Sequence, residues 1–191
     1  MAINIVESVQ QKLNVDELQK IDPNTGKPVE SGSSKTGNIF YQAAIPAVLT
    51  GLYKFTRTDD GNKEILNGKS GNLLSSFFGE HRNDVISKVA DITETTAGET
   101  DEKMEKIAEA GMSILKENLP QKSLEIDVKN FLTGQRHNIL LYLDPVLKLG
   151  HHIEDNTVDD SINKMEGPVS DLMHNIGQIF SASGNDQKKD I

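Results

Sequence analysis

The hydrophobic positions of this chain recur at helical spacing along most of its length. The clearest stripe lies in residues 100–119, where the apolar positions are Met104, Ile107, Ala108, Gly111, Ile114 and Leu115. Three- and four-residue spacing of this kind is typical of an amphipathic helix. We interpret the stripe as a core face in the first place and as a groove for a partner helix in the second. The pattern as a whole predicts an all-α fold.

Turn and capping residues divide this pattern into short helices. The predicted helices span residues 2–13, 15–21, 38–57, 62–66, 73–78, 83–96, 100–119, 122–133, 137–149, 157–166 and 168–180. Asn14 and Glu17 form a capping-box pair that predicts the second helix, and Pro46 and Pro145 are expected to kink two strongly apolar helices. We therefore expect a single-domain irregular bundle of about nine to eleven short helices with a C-terminal helical extension.

The pattern also predicts how the chain is organised. Residues 1–119 form one helical unit, residues 120–180 an acidic helical extension packed on it, and residues 181–191 a disordered tail. Residues 22–37 are rich in proline, glycine and serine, which predicts a long loop. A loop of this length is either disordered or functional, and we expect disorder first.

The amino-acid composition excludes several kinds of functional site. The chain has no cysteine, which excludes disulfides, thiolate catalysis and cysteine metal sites. Its net charge is −9, and the whole excess falls in residues 91–191, which hold ten basic and nineteen acidic residues. Such a surface repels phosphate backbones, so no nucleic-acid binding is expected.

Membrane insertion and export are not expected either. The longest apolar window, residues 39–55, is too short to span a bilayer. Residues 1–7 lack the basic and apolar regions of a secretory signal, which leads us to expect a cytoplasmic protein.

The strongest candidate for a metal site is a short run after Gly150. His151 and Asp155 would share a helical face, and His152 could approach from the side. Because Gly150 is expected to end the preceding helix, we interpret the run first as a solvated connector. No GxSxG or HExxH motif occurs. We therefore expect no catalytic residues, no cofactor and no enzymatic activity.

Four segments carry a family resemblance that covers residues 1–118, and the last of them ends one residue beyond that range. They are AAIPAVLTGLYK (43–54), DGNKEIL (60–66), LLSSFFG (73–79) and the helix pair VISKVADITETTAGETDEKMEKIAEAGMSILKENL (85–119). This order resembles the bacterial YidB-like family, a helical domain of unknown function. The resemblance implies a helical fold and a bacterial origin, and it carries over no catalytic residue. The length of the 22–37 loop and residues 119–181 depart from the family pattern.

Two functions are compatible with these patterns. The first is a non-catalytic helical module for protein interaction or self-association, whose acidic C-terminal half meets a basic protein partner or whose copies form a homo-oligomer. The alternative is small-ligand or lipid binding in a cavity between the 39–55 and 139–149 helices, whose prolines would leave backbone carbonyls without donors.

Overall fold

The computed structural model describes residues 3–22, 29, 39–68, 71–147 and 149. Of these residues 75% are helical and none lies in a strand, which confirms the all-α fold. The helices follow in the order α1 (Ile5–Leu13), α2 (Ile39–Phe55), α3 (Asp59–Leu66), α4 (Leu73–Phe78), α5 (Arg82–Thr93), α6 (Ala97–Asn118) and α7 (Glu125–Leu140). Short 3-10 helices lie at Gly79–His81 and Pro145–Leu147. No described helix is long and apolar enough to cross a membrane.

Helix α2 is the centre of the core. It packs against α1, α4, α5, α6 and α7, and twelve of its seventeen residues are buried. The helix continues through Pro46, and the Thr50 hydroxyl donates to the Pro46 carbonyl at 2.8 Å. An apolar helix that is buried on all sides can be covered only by several neighbours, so the other helices surround it.

The stripe on α6 is part of this core. Met104, Ile107 and Leu115 are fully buried. A Cβ at Gly111 would lie 3.1 Å from Leu49 Cδ2, so the glycine allows α6 to lie close to α2. These contacts confirm the core interpretation of the stripe and leave no groove there for a partner helix.

The helix predicted for residues 15–21 is wrong. Asn14 has the left-handed conformation (φ 51°, ψ 48°) and its N–H bonds to the carbonyls of Gln10 and Gln11, so it ends α1. The segment that follows is not helical, and the Gln42 side-chain amide bonds to both the N–H and the carbonyl of Gln19. Asparagine favours a left-handed C-terminal cap as well as an N-terminal cap, which explains the error.

The two helices predicted for residues 122–133 and 137–149 are also wrong. A single helix, α7, runs through Gly134 and ends at Leu140, before Pro145 can kink it. Residues 141–142 form a turn and residues 143–144 are irregular ahead of the 3-10 helix, although Leu143 and Leu147 are buried as their apolar character predicts. The described residues therefore form fewer α-helices than the nine to eleven expected for the chain.

A buried glutamine joins α7 to the start of α1. The Gln135 Oε1 atom accepts from the Ile5 N–H at 3.0 Å, and its Nε2 donates to the Ile3 carbonyl at 3.0 Å. One side chain thus satisfies two backbone groups beside the first turn of α1, where helices leave N–H groups without partners. Helix α7 contributes Val128, Leu132 and Ile139 to the same hydrophobic cluster as α1 and α2.

Tyr142 packs against the same end of α1 and makes the stability of the fold sensitive to alkaline pH. Burial raises the pKa of its phenol above the ordinary value of 10.0, and the charge of Glu7 raises it further, while a hydrogen bond with Asn4 lowers it. Because the folded-state pKa is the higher one, the unfolded chain loses this proton first. The contribution to stability is therefore complete below about pH 10 and is lost as pH rises through the raised pKa.

We expect the difference in unfolding free energy between the parent and Tyr142→Phe to be constant up to about pH 10 and to change in favour of the variant above it. Denaturant unfolding at a series of pH values measures this difference. The ionisation of lysine affects both chains alike and cancels. A difference that stays flat into the alkaline range would contradict the assignment.

Several predicted elements lie outside the described residues. These are the helices at residues 157–166 and 168–180, the tail at 181–191 and most of the loop at 22–37. The boundary at residue 119 stays a prediction.

Candidate functional site

The metal candidates His151, His152 and Asp155 lie outside the part of the chain that the structure describes. Within that part, no group of three or more histidine, aspartate or glutamate side chains is arranged to hold a metal ion. The structure therefore directs attention to a different kind of surface.

The most exposed apolar side chains with described neighbours on both sides lie at the start of α7. Leu124 is 67% exposed and Ile126 is 52% exposed. Both lie in the chain between the end of α6 and the first buried residue of α7, Val128. We call this pair the α7-start surface. Val29 and Ile39 are similarly exposed, but each is next in the chain to a residue that the structure does not describe.

Leu124 occupies a position where a leucine is unfavourable for the isolated chain. It is the N-cap residue of α7 and provides no side-chain hydrogen bond to the helix. Polar residues cap four other helices with such bonds: Asn4, Thr58, Asn72 and Thr96. An apolar N-cap costs about 0.5–2 kcal/mol relative to a serine or asparagine. Leu124 thus stabilises neither the helix end nor the core to any large extent.

The helix predicted for residues 122–133 would include Leu124 on the same face as Val128 and Leu132. The helix α7 begins only at Glu125, so that placement of Leu124 is wrong. A residue outside the helix does not follow the helical stripe, so Leu124 faces solvent. The signal that could have identified the surface is the Leu124-x-Ile126 spacing, because two apolar residues two apart do not share a helical face.

The charges next to the α7-start surface are balanced. Glu125 and Asp127 lie in the first turn of α7, and the Asp127 carboxylate accepts from the Leu124 N–H at 2.8 Å. Lys122 and Lys129 lie on either side of them in the chain. The acidic excess of residues 91–191 is therefore not concentrated at this surface, and a basic partner is not selected here.

An ion-pair cluster holds the end of α6, from which the chain leads to this surface. The Lys12 ammonium donates to Glu117 Oε1 at 2.7 Å and to Ser113 Oγ at 2.8 Å, which joins α1 to α6. The hydrogen bond from Lys12 lowers the pKa of the Glu117 carboxyl, and the hydrogen bond from Ser113 lowers it further. Both side chains of the ion pair are partly exposed, so the cluster joins α1 to the last turn of α6 with only a small contribution to stability.

Comparison with known proteins does not assign the chain to a family. No family model, no curated protein and no solved structure matches it.

Proposed function

We propose that the protein is a non-catalytic helical interaction module that self-associates through the α7-start surface. The observation that carries this proposal is the exposure of Leu124 at a helix N-cap, where a polar residue would be more stable. Exposed apolar side chains rimmed by charged residues are typical of protein interaction sites.

The local charges favour a second copy of the chain as the partner. In a two-fold contact a surface meets itself, so acidic residues of one copy can lie opposite basic residues of the other. Eight residues of the chain provide charges of both signs here, because two acidic residues, Glu125 and Asp127, lie between Lys122 and Lys129. A one-sided partner, whether basic or acidic, would find half of these charges repulsive.

Salt distinguishes the two kinds of partner. Each copy carries a net charge of −9, so the copies repel one another over a distance. At physiological ionic strength the screening length is about 8 Å, which weakens this long-range repulsion more than contacts at an interface. Self-association should therefore strengthen when salt is raised from low levels, whereas binding to a basic partner should weaken.

The substitution Leu124→Ser separates stability from association. Serine caps a helix, so we expect the variant to be more stable by about 1 kcal/mol and to melt about 2–4 °C higher. It removes an apolar contact, so we expect weaker self-association at the same time. Light scattering coupled to size exclusion over a concentration series measures the association, and thermal unfolding measures the stability.

Leu66→Ser is the matched control, because Leu66 is a partly exposed leucine at the end of α3. It should leave self-association unchanged. A strict monomer at millimolar concentration and moderate salt would refute the proposal, as would a Leu124→Ser chain that associates like the parent.

We further propose that residues 1–118 share the fold of the YidB-like family, with a bacterial origin, and that the chain is a single-domain irregular bundle with a C-terminal helical extension. The correspondence between the quoted segments and single elements supports this: AAIPAVLTGLYK lies in α2 and DGNKEIL in α3. An experimental structure of a YidB-like protein tests it. A different order of helices there would exclude the relationship.

A further inference from the structure

A small cavity opens at the end of α2, remote in the chain from the α7-start surface. Its volume is about 340 Å³. The end of α2, the N-cap of α3, helix α4 and the 3-10 helix after it provide the lining, which comprises Lys54, Phe55, Thr58, Ser76, Phe77, Phe78, Gly79, Glu80 and His81. Ligand cavities begin at about 300 Å³, so this one has room for a single ring or a short chain and not for a whole lipid.

Three phenylalanines provide the apolar lining of the cavity. Phe77 and Phe78 are buried, and Phe55 lies against Phe77 with 5.6 Å between the ring centroids. The Phe78 ring lies directly on the backbone of α2, because a Cβ at Gly51 would be 2.5 Å from its Cζ atom. The lining is therefore held by close packing, and Phe55, which is half-buried, is the ring most accessible to a ligand.

The hydroxyl groups at the rim are already engaged within the protein. Thr58 Oγ1 donates to the Phe55 carbonyl at 2.9 Å and accepts from the Gly61 N–H at 3.1 Å. Ser76 Oγ donates to the Asn72 carbonyl at 3.4 Å. These groups shape the cavity, and the charged side chains at its rim select the ligand.

Lys54 is the charge available to a ligand. Across the described ranges, no hydrogen bond or ion pair engages its ammonium group. His81, by contrast, lies between two carboxylates, with Nε2 3.9 Å from Glu80 and Nδ1 3.9 Å from Asp84. The side chain of Glu80 is 87% exposed, so water screens its charge. The rim therefore carries two charges of opposite sign, the Lys54 cation and the more strongly solvated Glu80 carboxylate, and Lys54 is the one that can attract an anion.

We infer that this cavity binds a small amphipathic monocarboxylate, with an aromatic or short aliphatic body against Phe55 and its carboxylate on Lys54. An ammonium and a carboxylate form a charge-assisted hydrogen bond, which is stronger than one between neutral groups. The apolar body gains by leaving water. A ligand of about ten heavy atoms gives a Kd of about 0.1–1 mM in such a site.

Phenylacetate is the probe, and an amide NMR titration of the full chain reports both affinity and place. We expect the largest shifts at residues lining the cavity and a Kd at least about fivefold lower than for neutral phenylacetamide. Lys54→Gln keeps the length of the side chain and removes the charge. It should weaken phenylacetate about tenfold and leave phenylacetamide unchanged.

Lys63→Gln, on the exposed side of α3, is the matched control and should bind like the parent. Equal affinity for the acid and the amide would overturn the inference, as would unchanged binding by Lys54→Gln. Tighter binding of benzyltrimethylammonium would also overturn it, because the aromatic lining would then be a cation site. Leu124→Ser should bind phenylacetate like the parent, because Leu124 does not line the cavity. A negative result for phenylacetate binding therefore leaves the proposal of self-association intact, and the reverse is also true.

Discussion

A chain that ends at residue 119 is expected not to fold. Such a chain keeps α1 to α6 and loses α7, which packs against α1, α2 and α3. The lost residues include five that are buried in the common core: Val128, Leu132, Ile139, Tyr142 and Leu143. The loss of α7 also removes Gln135, whose side chain accepts the hydrogen bond of the Ile5 N–H.

The free energy lost with these buried side chains is comparable to the whole stability of a domain. Full burial of one such side chain contributes about 1.5–3 kcal/mol, so five together contribute on the order of 10 kcal/mol. The total stability of a natural domain is about 5–15 kcal/mol. The remaining helices would expose the apolar faces that α7 covers, and we expect a chain without a cooperative thermal transition.

Circular dichroism during heating and the dispersion of amide NMR signals measure this outcome. A chain ending at residue 149 is the control, because it keeps α7 and the buried side chains named above, and it should unfold cooperatively. If the chain of residues 1–119 gave a dispersed spectrum and a sharp transition, the boundary predicted there would mark an independent unit. The truncation therefore tests the boundary at residue 119 that the pattern of apolar and turn residues predicts.

Where the apolar period is long and continuous, the sequence predicted the helices well. The stripe through Met104, Ile107 and Leu115 placed α6 and its core face correctly. The limits were less accurate, because the helix was predicted to begin at Thr100, whereas α6 begins at Ala97 with Thr96 as its cap and Thr100 is buried inside it. Both are threonines ahead of an apolar run, and only the packing of Thr100 against the core distinguishes them.

Residues whose local preferences permit two structures could not be assigned from the sequence. Asn14 can cap either end of a helix, and it ends α1 because the next segment gains its hydrogen bonds from distant residues, Gln42 and Leu141. The sequence predicted a break between residues 133 and 137, yet α7 continues through Gly134, which is exposed. In both cases, whether the helix ends or continues depends on contacts with residues that are distant in the sequence.

The two candidate surfaces differ in how far the sequence could have indicated them. The α7-start surface depends on where one helix begins, which the Leu124-x-Ile126 spacing hints at. The cavity needs Phe55 and Phe77 to meet across two helices, and no local pattern predicts that meeting. The cavity expected between the two proline-containing segments was based on a helix at 137–149, which the structure does not form.

The second large effect is expected from a single methyl group at Gly61. This glycine lies in the first turn of α3, three residues after its Thr58 N-cap. A Cβ there would lie 2.0 Å from the Phe55 carbonyl oxygen and 2.8 Å from Thr58 Oγ1. The first of these atoms belongs to the backbone and cannot rotate away, so α3 must move relative to α2.

Gly61→Ala should therefore destabilise the fold by about 3 kcal/mol, through overpacking and through loss of the Thr58 cap, and lower the melting temperature by about 10 °C. Gly98→Ala is the matched control, since Gly98 lies in the first turn of another threonine-capped helix and has no atom within 4 Å of its Cβ position. There the alanine should stabilise the helix by up to about 1 kcal/mol. Opposite shifts in melting temperature are thus expected from the same substitution at two similar positions, and a Gly61→Ala chain as stable as the parent would show that α2 and α3 do not meet this closely.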